Sequence, residues 1–351
     1  MQVIGVDCHK ARHTAVLVDA AGQEQARWDG ENTPAGWQAL AAWGQHQATT
    51  LVWGIEGTGQ YGRGLAQLLV AAGQTVHEVN PRLTAAQRRV SRRRGKSDAA
   101  DALAIARVVQ QEPHLPRVQA EDATAVLAVQ VIARDRMVHD LTALRNRLHQ
   151  HLTQLRTVLP TPRPTLTSRA GIAALVDLQI PAGDAMVQAY AQLVRLLAAQ
   201  MLLVMTQIAE LTATIAALCG AWTAPLQAVT GVGVLSAGML AAHLGGKTFQ
   251  TDAALAMYAG VAPLDASSGR QVRHRLNRSG NRFLNAVFHR IALSQAAHSP
   301  RARAYLAKHR ANGKTAKEAL RCLKRMLARL ILTAWRQCQP PPLAHISLPL
   351  T

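Results

Sequence analysis

MQVIGVDCHKARHTAVLVDAAG, residues 1–22, is the stretch on which the fold turns. Residues 3–6 are a short run of β-formers that ends at Asp7. A second run, His13 to Val18, leads into the turn sequence Asp19-Ala-Ala-Gly22, and the pair is expected to form a β-hairpin. Working outward, Leu51 to Ile55 is another short apolar strand, ending at Glu56, and Thr75 to Val79 is a further one, closed by Asn80-Pro81. Helices are expected at 34–47, with Pro34 in the first turn, at 65–72 after the glycine-rich turn Gly57 to Gly64, and at about 98–111. Strands alternating with helices predict an α/β sheet domain over residues 1–115.

The next segment changes rhythm. Met137, Leu141, Leu144, Leu148, His151 and Leu155 step by fours and threes, and Leu197, Met201, Val204, Ile208, Leu211, Ile215 and Leu218 repeat the pattern. Two heptad helices separated by a proline-containing break, Leu159 to Pro181, predict a helical coiled-coil or oligomerisation region over 116–222; two amphipathic core helices would read the same way. The stretch Leu193 to Cys219 is the most apolar, but Arg195, Gln200, Gln207 and Glu210 interrupt it, so it is read as a packed helix and not a membrane span. From Pro225 onward Val229-Thr-Gly-Val-Gly233 resembles a helix-hairpin-helix turn, whose backbone N–H groups suit a phosphate. Helices at about 252–259, 281–297, 300–311 and 315–337 complete a helical domain over 223–339, and the proline-rich tail 340–351 is expected to be disordered.

Charge narrows the function. The 351 residues carry a formal charge of +19, which attracts polyanions. Between Ser267 and Arg336 there are 17 Lys and Arg against one acid, Glu318. An apolar content of 49% excludes a chain disordered throughout. Cys8, Cys219, Cys322 and Cys338 form no CxxC pair, which argues against zinc and for a reducing cytoplasm; the N-terminus reaches an Asp too early for a signal peptide. Aromatic residues make up only 4%, which suits backbone readout better than base stacking.

Four acids stand out against this basic background. Asp7 and Glu56 end two strands; Asp98 and Asp101, three apart at the start of a helix, share one face. Singly, each has an ordinary explanation, as a turn former or as a partner of the helix macrodipole. Together they can converge, and converging carboxylates repel one another unless a cation neutralises them. Oxygen donors select Mg2+ or Mn2+, which supports phosphodiester cleavage. The run Arg88, Arg89, Arg92, Arg93, Arg94 and Lys96 immediately precedes Asp98 and would neutralise a nucleic-acid backbone there. In the C-terminal half, Arg270, Arg273, Arg275, Arg278, Arg282, Lys314, Lys317, Arg321, Lys324 and Arg325 are further candidates for nucleic-acid binding.

The motifs IGVDCHK (4–10), IEGTGQY (55–61), VNP (79–81) and KSDAADALAIA (96–106) resemble the DEDD transposases of bridge-RNA-guided insertion sequences, the family numbered one hundred and ten. TGVGVLSA, ALAMYAGVAP (254–263), SSG (267–269), NRSGNRFLNAVF (277–288) and ANGKTAKEALRCLKRMLARL (311–330) resemble its transposase domain, in the same order. The resemblance implies an RNase H-like domain of Holliday-junction-resolvase (RuvC) type, a coiled-coil segment and a mainly helical transposase domain. It implies that Asp7, Glu56, Asp98 and Asp101 are a metal-binding tetrad and that Ser268 is a nucleophile, with Ser267 beside it. It also implies donor and target DNA, a structured bridge RNA, a dimer-to-tetramer assembly in which serine and tetrad meet across subunits, and nucleoid association without a membrane. The family usually has Ala after the Glu, where this chain has Gly57. Read alone, Ser-Ser-Gly is an ordinary turn sequence, and a serine hydroxyl needs activation to attack.

Other activities are compatible with parts of this pattern. A metal-dependent nuclease or junction resolvase using water needs the tetrad but no serine. A non-catalytic nucleic-acid-binding protein needs only the basic surface. A sugar-kinase-like ATPase also begins with a strand running into an Asp, but this chain has no second glycine-rich phosphate loop.

Overall fold

A computed structural model describes residues 2–47, 50–90, 97–159, 165–180, 184–265, 274–277 and 280–345; for 88–90, 265, 274–276 and 345 it describes the backbone alone. Two compact units arise, one from Met1–Ala125 with Ala221–His345, the other built on Val126–Gly220.

The first unit is organised on a sheet. Its strands are β1 (Gln2–Cys8), β2 (Arg12–Val18), β3 (Glu24–Glu31), β4 (Leu51–Glu56), β5 (Thr75–Val79), β6 (Arg117–Val118) and β7 (Lys247–Thr248). Their order is β3-β2-β1-β4-β5-β6-β7. β1, β2 and β3 pair antiparallel, whereas β4 lies parallel to β1 and β5 parallel to β4. The interleaved helices are α1 (Pro34–Gln47), α2 (Arg63–Ala71), α3 (Pro81–Val90) and α4 (Asp98–Gln111). The expected α/β character holds, and the α4 limits are those read from the sequence.

Side-chain alternation divides the two faces of the sheet. Ile4, Val6, Trp53 and Ile55 pack with Leu40 of α1 and Leu65 and Leu69 of α2. Val3, Val16 and Val79 pack on the other face with Ala102, Ile105, Ala106 and Val109 of α4. Gly5 and Gly54 also lie under α4. A Cβ on Gly5 would collide with backbone atoms of Ala102 and Ala106, and one on Gly54 would meet Val109 Cγ2 at 2.5 Å. These two glycines let α4 settle onto β1 and β4.

Four elements of this region are not evident from pattern alone. β3 has few apolar residues and lies at the sheet edge. The polar helix α3 begins at Pro81 itself. β6 and β7 have two residues each, too few for a period.

β7 brings the chain back to this sheet after the second unit. Lys247 Nζ on β7 pairs with Glu78 Oε2 on β5 at 3.0 Å. α5 (Ala123–Gln154), α6 (Arg169–Val176) and α7 (Ala185–Cys219) run through the second unit, and after it in the chain come α8 (Ala224–Gln227), α9 (Val234–Leu244), α10 (Asp252–Tyr258), α11 (Arg282–His298), α12 (Pro300–Ala311) and α13 (Ala316–Trp335). Leu255, Phe288, Ile291, Leu323, Leu327 and Ile331 are buried among them. Gly231, in the expected glycine turn before α9, has φ +85. A small hairpin of β8 (Pro263–Asp265) and β9 (His274–Leu276) was not foreseen. The tail expected to be disordered is, as far as His345, part of this unit. Pro341 O accepts from Ala123 N at 2.9 Å, and Leu343–His345 form a short 3-10 turn.

The second unit holds α5 (Ala123–Gln154, which starts in the first), α6 (Arg169–Val176) and α7 (Ala185–Cys219). Leu144, Leu148 and Leu155 pack with Ile172 and Leu175 of α6 and with Val194, Leu197, Ala198 and Met201 of α7. α7 is long and apolar enough by length and composition to cross a membrane, but these four residues and their neighbours use one face of it for packing. On another face Met186, Leu193, Leu196 and Leu203 are exposed, at spacings of seven, three and seven.

Candidate active site

The strand register sets up the site. Val6 is the parallel partner of Ile55, so the next residues, Asp7 and Glu56, stand level at the ends of adjacent strands. Neighbouring strands lie about 4.8 Å apart. Both residues follow Gly5 and Gly54 by two, so both carboxylates project to the α4 face. There α4 begins. Ser97 caps it by accepting from Ala100 N at 3.2 Å, and its first turn carries Asp98 and Asp101. Asp7 and Asp101 are buried; Asp98 is exposed.

Asp7 feels the charges of the other three acids. The Asp7 pKa is raised, first by burial and then by the negative charges of Asp101, Glu56 and Asp98, with His9 opposing them. The neighbouring Cys8 thiol is pushed up by burial and by the charges of Asp7 and Glu56. Such a group is unfavourable without a cation.

Two side chains not foreseen in the sequence fix this arrangement. His9 Nε2 lies 3.1 Å from Asp7 Oδ2 and 3.5 Å from Asp98 Oδ1, bridging strand and helix. Donor atoms of Asp7, His9 and Asp98 all fall within 4.8 Å of one another, a spacing that could hold a metal ion. Thr84, buried on α3, donates from Oγ1 to Glu56 Oε2 at 2.8 Å. His9 was detectable in principle, two residues beyond Asp7 at the strand end. Thr84 was not, because α3 itself was not recognised. Gly57, next to Glu56, has φ +75, a left-handed conformation in which glycine is unstrained where alanine is not.

The basic candidates divide by position. Arg88 and Arg89 lie on the last turn of α3, and Arg275 on β9, with only their backbone described. Arg92, Arg93, Arg94, Lys96, Ser267, Ser268, Arg270, Arg273 and Arg278 lie outside the described residues. Arg282 opens α11. Lys314, Arg321, Lys324 and Arg325 line one cavity together with Arg329, which the sequence reading had not singled out; Lys317 is not among its lining residues.

Two family models match the chain, and both describe transposases. A model of IS110-type DEDD transposases covers residues 4–157. A model of the IS116/IS110/IS902 transposase family covers residues 223–307. A protein of Streptomyces coelicolor, the insertion element IS110 uncharacterized 43.6 kDa protein, is 30% identical over 275 residues, which is 66% of this chain and 68% of that protein.

The chain belongs to the IS110 family of transposases. Membership makes it a DNA-cleaving recombinase that binds DNA. The first model runs through all four acids, and the second through the segment that contains Ser267 and Ser268. For an IS110-family transposase, a divalent metal is the expected cofactor. The donor chemistry fits one. Carboxylate oxygens suit magnesium, calcium and manganese, and an imidazole nitrogen at the rim moves the preference toward a transition ion.

Proposed function

We propose that this transposase cuts and rejoins DNA at a composite site, in which Asp7, Glu56, Asp98 and Asp101 hold Mg2+ or Mn2+ and Ser268 is the nucleophile. The observation that carries the metal site is the level pairing of Asp7 and Glu56 beneath the first turn of α4. Four mutually repelling carboxylates, one of them with a raised pKa, support a cation between them. When bound, the ion would supply charge stabilisation to the phosphate oxygens of the scissile bond.

The protein's own residues have distinct tasks. Thr84 holds the Glu56 carboxylate, and His9 holds Asp7 and Asp98 in register. Ser268 Oγ attacks phosphorus. A serine–phosphate ester forms, one P–O bond to a deoxyribose breaks, and that deoxyribose oxygen leaves with the proton. A free DNA hydroxyl reverses the exchange on the partner strand, so no ATP is consumed.

The rest of the reading follows the family resemblance. We infer an RNase H-like fold for the N-terminal part, which three antiparallel strands followed by two parallel ones support. A bridge RNA paired to donor and target DNA would choose the sequence, as base pairing does in other guided systems. Oligomerisation through residues 116–222 is supported by the exposed heptad-spaced stripe Met186, Leu193, Leu196 and Leu203 on α7.

The test is a covalent adduct. The full chain incubated with labelled donor DNA and Mg2+ should give a denaturant-resistant protein–DNA species, absent in Ser268→Ala and in Asp7→Asn. An adduct that survives Ser268→Ala and disappears in Ser267→Ala moves the nucleophile by one residue. Cutting with no adduct at all makes water the nucleophile and this chain a nuclease of resolvase type.

A further inference from the structure

A second site-like feature lies in the C-terminal part of the first unit. α10, α12 and α13 border a cavity of about 850 Å³ whose wall carries Lys314, Arg321, Lys324, Arg325 and Arg329. Two acids share the wall, and both are engaged. Asp252 Oδ2 accepts from Arg325 Nη1 at 2.7 Å. Glu318 closes a capping box with Thr315 at the start of α13.

Lys324 has no acid at hydrogen-bond distance, whereas Glu318 attracts Arg321 and Lys314 and Asp252 attracts Arg329 only through space. Lys324 is only 6% exposed, and its Nζ donates at 2.6 Å to Asn285 Oδ1, a neutral acceptor. Asn285 is held in turn by donating to Gly260 O at 2.6 Å. None of the ion pairs found among the described residues includes Arg321, Lys324 or Arg329. Burial and the charge of Arg321 push the Lys324 pKa down to about 8. A buried ammonium beside a second cation is costly unless an anion shares the space. The volume is in the range of sites that take a nucleotide-sized ligand. Val261, Pro263, Tyr305 and Met326 supply apolar wall beside the charges.

We propose that this cavity binds a phosphodiester of the DNA strand being cut, with Lys324 and Arg321 on its non-bridging oxygens. The assignment rests on the reading of Ser268 as nucleophile, because chain reach connects the two. Pro263 lines the cavity, and Ser268 follows it by five residues, a path of at most about 18 Å. That tether is short enough for the serine to reach a strand anchored in the cavity. The planar guanidinium of Arg321 suits two phosphate oxygens at once.

The test is binding of donor DNA by the full chain, read by fluorescence anisotropy over a salt series, with an RNA of the same sequence in a parallel arm. Lys324→Met and Arg321→Gln should each weaken DNA binding about tenfold, the size of one lost charge-assisted hydrogen bond. Each should also flatten the slope of log affinity against log salt by about one. Arg301→Gln, at an exposed position outside the cavity wall, should change affinity by less than about twofold. Arg321 is half-buried, so its variant carries the test if Lys324→Met does not fold. Unchanged affinity and slope in Arg321→Gln, an equal loss in Arg301→Gln, or a loss confined to RNA overturns the assignment. An unaltered chain that binds no DNA would instead sink the functional reading itself.

Discussion

Gly5 of β1 and Ala102 of α4 meet backbone to backbone, so that a Cβ on Gly5 would fall on the Ala102 carbonyl oxygen. This contact lies two residues before Asp7 and one after Asp101, and it is what brings strand and helix acids to one place. Gly5→Ala should therefore destabilise the protein by about 3 kcal/mol, because backbone cannot move aside as a side chain can. Gly54→Ala meets side chains and no backbone, Val109 Cγ2 at 2.5 Å and Ile105 Cγ2 at 3.1 Å, and should cost about 1 kcal/mol. Urea unfolding of the two variants compares them; a Gly5→Ala protein as stable as the parent would mean α4 does not rest on β1.

Thr84→Val keeps the shape of a buried side chain and removes its hydrogen bond to Glu56. Stability should fall by only about 1 kcal/mol. Divalent-ion affinity should fall by about tenfold, as when the hydrogen-bond support of a ligand is lost. Calorimetric titration with Mn2+ measures it, and unchanged affinity would remove Thr84 from the site.

Lys247 and Glu78 join the returning chain to the sheet, with side chains 18% and 22% exposed. Lys247→Met strands a largely buried carboxylate and should cost about 2 to 3 kcal/mol. The double variant Lys247→Met with Glu78→Gln should recover most of that loss, since the uncompensated charge is gone. A double-mutant cycle on unfolding free energies decides; additive losses would mean the pair does not interact.

His243 carries a pH dependence. Its Nε2 is buried with no hydrogen-bond partner among the described residues, and its ring stacks 4.3 Å from Phe283. Burial, and then the Lys247 charge, bring its pKa down to about 4 from 6.5. The unfolded chain takes up a proton below 6.5 that the folded chain refuses. Stability is thus full above pH 6.5 and is lost as pH falls toward 4, by up to about 3 kcal/mol. His243→Phe should flatten unfolding free energy across that window, and an unchanged slope would place the acid sensitivity elsewhere.

What could be read in advance follows from how much pattern each element carries. Asp7 and Glu56 were legible because each ends an apolar run, and Asp98 with Asp101 because they open a periodic helix. That they could converge was expected too, but the β1–β4 register and the two glycines that set Asp7 and Glu56 under α4 were not, since a glycine's only signal is a missing side chain. Thr84 was hidden in a polar helix. The cluster Lys314, Arg321, Lys324 and Arg325 was visible as charge, but Asn285 and Gly260, which hold Lys324, lie 39 and 64 residues away in the chain.

The most direct measurement is Mn2+ binding to the full chain, followed by electron paramagnetic resonance, in the parent and in Asp7→Asn and Asp101→Asn. Ions should bind the parent and be lost, or weakened at least about tenfold, in both variants while DNA binding persists. Equal Mn2+ binding in all three proteins would contradict a metal centre made from these carboxylates.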